Sequence, residues 1–282
     1  MRADITSGHG VDLLIGLADD TDADRIRARI GLPSYEPTGL ATARRRLRTA
    51  SPWKGTYVLS SVLLWVLEED DPDLNVVVWP RLSGQAALRR AVLRGVPFGS
   101  GTRGPVPVDD SLRHLELPVP ERVTRLGTTG ALYAATTMSA AREAADTVCT
   151  REDWRTVAEA HGERPLPGYA RWALSIRPDC PPALRARFGS HRKFTNRVRQ
   201  AGVLDGPAEY ATTHAPAAQT LGTLSAGPVM FPARVREAED ALRPLVREHL
   251  GGREEAWAVL AQLLGTFHGS VPELVVTAGA IA

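Results

Sequence analysis

One pattern recurs along this chain and constrains its fold more than any other feature. It is an acidic turn, an apolar stretch of helical character, a proline or small-residue break, and then Ala-Leu or Gly-Leu. The first copy reads Leu17-Ala18-Asp19-Asp20-Thr21-Asp22, continues through Ile26 and Ile30, breaks at Pro37 and resumes at Gly39-Leu40. The second reads Leu67-Glu68-Glu69-Asp70-Asp71-Pro72-Asp73, runs through Val76 to Val78 and resumes at Ala87-Leu88-Arg89. A third copy lacks the acidic turn but keeps Trp172-Ala173-Leu174, Arg177, Pro181-Pro182 and Ala183-Leu184-Arg185. Leu40, Leu88 and Leu184 stand 48 and 96 residues apart, both multiples of 24. Leu64 and Leu112 fall on the same register, whereas Thr136 and Ala160 break it. Short units of this kind bury their apolar faces against one another, and such arrays build binding scaffolds more often than catalytic pockets.

These segments resemble variant leucine-rich or HEAT-like helical repeats over residues 10–115 and 166–200, with a spacing inside the roughly 20–29 residue period of leucine-rich families. The resemblance implies an all-α chain with a curved binding surface. It also implies a non-catalytic adaptor whose partner is another protein. Some variant repeats carry a Cys-rich leader for an iron–sulfur cluster; that leader is absent, and no cofactor is implied.

Composition agrees with a helical core. Apolar residues make up 43% of the 282 residues but aromatics only 6%, which leaves Leu, Val and Ala to fill the interior and favours close helix–helix approach. The longest apolar run, Val58 to Leu67, contains Ser60 and Ser61 and is too short to span a bilayer. Met1-Arg2-Ala3-Asp4 does not open a signal peptide, and Cys149 with Cys180 make neither a disulfide framework nor a zinc site. A cytoplasmic protein is expected. Of the 34 basic residues only Lys54 and Lys193 are lysine, a bias that an arginine-rich codon usage explains.

Helix signals cover most of the chain. Asp22 or Asp24 is placed to cap a helix over 25–30, and Pro37 to open one over 38–48. Val76-Val77-Val78 favours a strand locally, but the surrounding helix signals make a buried helix the better reading. Residues 232–250 repeat Val235, Ala238, Leu242, Leu245, Val246 and Leu250 on one helical face. Gly and Pro crowd residues 96–121, which predicts a connection between an N-terminal lobe (1–95) and a C-terminal lobe (122–282). The expected fold is all-α, either an irregular α-solenoid or a two-lobed array of short helices.

Catalytic signatures are weak. Gly99-Ser100-Gly101-Thr102-Arg103-Gly104 matches a dinucleotide-loop string, but Pro105, Pro107 and Asp109-Asp110 follow it and no βαβ unit surrounds it. The acidic clusters at 19–24 and 68–73 have the oxygen ligands of a Mg²⁺ or Ca²⁺ site without the spacing of a known one; solvated, helix-capping turns explain them. The seven histidines are scattered, and neither cysteine has the surroundings of a nucleophile.

One segment carries a sharper signal. Residues 183–202 contain Arg185, Arg187, Arg192, Lys193, Arg197 and Arg199 and no acid. A short helix, a glycine, a polar start and a basic helix ending in Gly202 resembles a helix-turn-helix, whose second helix would offer Ser190, His191, Thr195 and Asn196 to bases or phosphates. This makes a nucleic-acid-binding regulator the alternative function. A different anionic partner, or a solvated basic face, explains the same residues. Arg44-Arg45-Arg46 and Arg48 form a second basic run.

Overall fold

The computed structural model describes residues 5–33, 42–44, 47, 53, 57–101, 104–189 and 192–282, without the side chains of residues 5–7, 20 and 192–194. The described residues form 17 α-helices and one 3₁₀ turn, with no strand among them. In chain order these are α1 (Ile5–Ile15), α2 (Asp20–Ile30), α3 (Ser60–Leu67), α4 (Pro72–Val78), the 3₁₀ turn (Trp79–Leu82) and α5 (Ala86–Leu93). There follow α6 (Glu121–Tyr133), α7 (Met138–Ala145), α8 (Arg151–Glu163), α9 (Gly168–Ser175), α10 (Pro182–Phe188) and α11 (Arg192–Gln200). The last are α12 (Pro207–Thr213), α13 (Ala217–Leu224), α14 (Gly227–Met230), α15 (Pro232–His249), α16 (Glu254–Leu263) and α17 (Val271–Ile281). None is long and apolar enough to cross a membrane.

Local chemistry explains the elements. The three valines at 76–78 are helical because Asp71 caps the turn before them. Its Oδ1 accepts the Asp73 and Leu74 amides at 2.8 and 3.4 Å, and Pro72 at the first helical position presets φ. α15 buries Val235, Ala238, Leu242 and Val246 along one face, while Pro244 sits on its exposed side. α2 begins at Asp20 rather than Arg25, and neither expected carboxylate caps it. Asp22 pairs with Arg25 at 2.8 Å and Asp24 with Arg27 at 3.6 Å.

The helices pack as two compact units. The first joins Met1–Val58 to Asp205–Ala282. In it α17 packs on α12, α13, α15 and α16, α1 lies on α13, and α2 lies on α16. A solenoid repeat touches only its neighbours in sequence; here the first two helices rest on the chain's last third. Arg25–Glu254 (2.8 Å), Arg29–Glu255 (2.9 Å) and Asp19–Arg247 (3.2 Å) tie the same elements together, so the first acidic turn is spent on ion pairs. Of the basic run, Arg44 donates to the Val229 carbonyl at 3.3 Å; Arg45, Arg46 and Arg48, like Pro37 and Gly39-Leu40 of the first motif copy, lie outside the described residues.

The second unit is the continuous span Leu59–Leu204. Ala131, Leu132, Trp154, Leu174 and Phe188 form its core between α6 and α10. Of the 24-residue register, Leu88, Leu112 and Leu184 are buried in this unit and Leu64 is half-buried. Residues 96–121, expected to connect two lobes, lie inside it. The Asp70 carboxylate accepts the Phe98 and Gly99 amides at 2.8 and 3.0 Å, and Arg90 donates to the Leu117 and Pro118 carbonyls at 2.6 and 3.1 Å.

Candidate functional site

The basic segment is built on two short helices of the second unit. Pro181 and Pro182 start α10, which buries Leu184 and Phe188 one turn apart. Gly189 ends it at φ 130°, a conformation that side chains rarely adopt. α11 ends in a Schellman motif: Gly202, at φ 72°, donates its amide to the Arg199 carbonyl at 2.9 Å, and Val203 donates to Val198 at 3.3 Å. Two serines of the apolar helix α3 hold this end. Ser60 Oγ donates to the Ala201 and Gly202 carbonyls at 2.9 and 3.1 Å, and Ser61 Oγ accepts the Leu204 amide at 2.9 Å. The serines that interrupt the apolar run therefore anchor the basic helix.

The structure sorts the seven expected site residues into three groups. Arg185 is spent inside the fold: its guanidinium donates to the carbonyls of Ser175, Arg177 and Cys180 at 3.2, 3.1 and 3.0 Å, closing the C-terminal end of α9. Asn196, Arg197 and Arg199 are exposed on α11 and Arg187 on α10. Arg187 reaches the Ala158 carbonyl at 3.5 Å, and the Arg197 guanidinium lies 3.9 Å from the centre of the Trp172 ring of α9. Among the described residues no ion pair engages Arg187, Arg197 or Arg199. Arg192 and Lys193 belong to α11, but their side chains, with all of Ser190 and His191, lie outside the described residues.

No protein-family model matches this chain, and no curated protein or solved structure is significantly similar to it. The site is therefore read from its own chemistry.

A second group of charges is buried beneath α9. Arg177 donates to both carboxylate oxygens of Asp179, to the Ala145 carbonyl, and lies over the Trp154 ring at 4.7 Å. Burial works against its charge, but Asp179, Cys149 and Asp146 more than offset that and hold the guanidinium above its usual range. Burial pushes the Asp146 carboxyl up, against the pull of Arg177 and Arg90. The same desolvation raises Cys149 to about 11 and Cys180 to about 12, so both thiols stay protonated and unreactive at neutral pH. Each cation here is matched to carbonyls or a carboxylate already, which is the pattern of a structural clamp.

The remaining candidates offer less. The amides of Phe98 and Gly99, at the start of the glycine-rich string, are saturated by the Asp70 carboxylate, which would repel a phosphate; Thr102 and Arg103 lie outside the described residues. An open depression of about 430 Å³ is lined by Arg90, Arg94 and residues 115–118. His161 is held below its usual range by burial, accepts the Leu166 amide at 3.2 Å and packs edge-on to Phe188. Trp172 and Arg177 stand in the third motif copy, but nothing in the sequence marks Trp172 as lying beneath Arg197 or Arg177 as paired with Asp179.

Proposed function

We propose that this chain is a non-catalytic nucleic-acid-binding protein of the cytoplasm that grips the phosphate backbone with α11. The observation that carries the reading is an anchored basic helix, exposed at Asn196, Arg197 and Arg199, in a stretch of twenty residues without a carboxylate. Its C-terminal end is fixed by Gly202 and the two serines of α3, which lowers the ordering entropy that opposes binding. Among the described residues no ion pair engages Arg199 or Arg187, and guanidinium groups suit phosphate geometry. The reading asks for one exposed basic helix and does not depend on a helical-repeat solenoid. The alternative of a protein partner has as its support the exposed large apolar residues Tyr57, Val119, Leu126, Tyr169, Val276 and Ile281, which are spread over both units.

A mobility-shift titration with random-sequence duplex DNA, single-stranded DNA and RNA, at low and at physiological salt, tests the reading. Affinity should fall steeply as salt rises, because bound counterions are released from the phosphates. Arg199→Ala should weaken binding to every sequence alike and lower the salt slope by about 1. The combined Arg192→Ala, Lys193→Ala and Arg197→Ala variant should abolish the shift while circular dichroism stays native. No binding at low salt, or binding that this variant leaves unaltered, overturns the reading.

A further inference from the structure

We infer that Trp172 is a base-stacking platform and that the nucleic acid held by α11 is single-stranded. This rests on the proposed function and narrows it. Trp172 is half-buried on α9, and the Arg197 guanidinium lies over its indole ring, 3.9 Å from the centre. Among the described residues the buried Nε1–H of this indole finds no acceptor, whereas Trp257 donates to the Gly251 carbonyl at 2.9 Å. Buried indoles ordinarily find such a partner. Arg197 in turn is exposed and has no carboxylate partner among the described residues, so its side chain is free to leave the ring. Two other arginines cover tryptophans, but Arg177 is buried and bound to Asp179, and Arg89 is half-buried on α5. Arg164, also exposed, lies 3.9 Å from the centre of the Tyr133 ring, but that pair is away from the basic segment; among the described residues, the Arg197–Trp172 pair is the one that joins an indole face to an exposed cation of that segment.

The exchange is favourable on both sides. A solvent-accessible cation–π contact is weaker than a stacked base, and the displaced guanidinium gains a phosphate. The base takes the indole face that Arg197 leaves, and Arg197 with Arg199 follow the backbone beside it. A duplex cannot take part, because its base faces are already stacked on each other; an unpaired base offers its face freely.

The experiment compares a 20-nucleotide oligothymidylate with a duplex of equal length, on the full chain, by fluorescence anisotropy. The wild type should prefer the single strand. Trp172→Met should lose about 5- to 150-fold on the single strand, the worth of one stacked base, and leave the duplex affinity unchanged. Trp172→Phe should keep most of the preference. Should Trp172→Met fail to fold, the tryptophan emission decides: oligothymidylate should quench the wild type, and the quenched component should vanish in Trp172→Phe. Equal affinity for both strands, or a single-strand affinity indifferent to Trp172→Met, or emission that does not change, overturns the stacking site while duplex binding would leave the wider reading intact. Failure to bind either nucleic acid overturns both.

Discussion

At the scale of the residue, arginine is the versatile element of this chain, and its environment decides its role. Arg197 and Arg199 are exposed on a helix surface, whereas Arg185 closes a helix end on backbone carbonyls and Arg177 sits 6% exposed against Asp179. Sequence makes these four look alike. A buried guanidinium left without its carboxylate keeps its desolvation penalty, so Asp179→Ala should cost roughly 3–5 kcal/mol. Urea denaturation should show it as a lower midpoint with an unchanged slope. Adding Arg177→Met should recover much of that loss, because the apolar side chain removes the stranded charge. A midpoint equal to that of the wild type in Asp179→Ala would mean the pair does not stabilise the fold.

At the scale of the element, helix content was legible wherever capping chemistry and periodicity agreed. Asp71 and Pro72 outweighed the strand preference of three valines, and the apolar face of α15 ran as its spacing predicted. Helix starts were less legible. α2 begins at Asp20, and the carboxylates expected to cap at 22 and 24 pair instead with arginines one turn on. α8 begins at Arg151 because Thr150 and Asp153 form a reciprocal capping box, a pairing that the spacing alone makes readable. Packing between elements left no local mark at all. The glycine at position 10 of α1 looks like a flaw in a helix, yet a Cβ there would meet the Leu221 Cβ of α13 at 2.9 Å. Gly10→Ala should gain helix propensity locally and still destabilise the protein by about 1–3 kcal/mol, through overpacking. Calorimetry checks this: an unchanged or raised Tm would show that the helices can move apart.

At the scale of the whole molecule, the two units differ in how they are encoded. Residues 59–204 form one continuous stretch with their own buried core, so that fragment expressed alone should be helical and unfold cooperatively. Residues 1–58 alone should stay unfolded, because α1 and α2 bury their apolar faces on α13 and α16 from the far end of the chain. Circular dichroism and thermal melts of both fragments test this, and a non-cooperative 59–204 fragment would overturn it. By itself the sequence determined that the chain is helical, since capping residues and a 3.6-residue apolar period act over a few neighbours, and it marked 183–202 as a basic stretch without acids. Only the tertiary structure decided that Phe98, Gly99, Leu117 and Pro118 are held by Asp70 and Arg90 within a unit, that Arg185 faces inward, and that Trp172 lies under Arg197. Those outcomes depend on which residues meet across tens or hundreds of positions, and local propensity carries no information about such meetings.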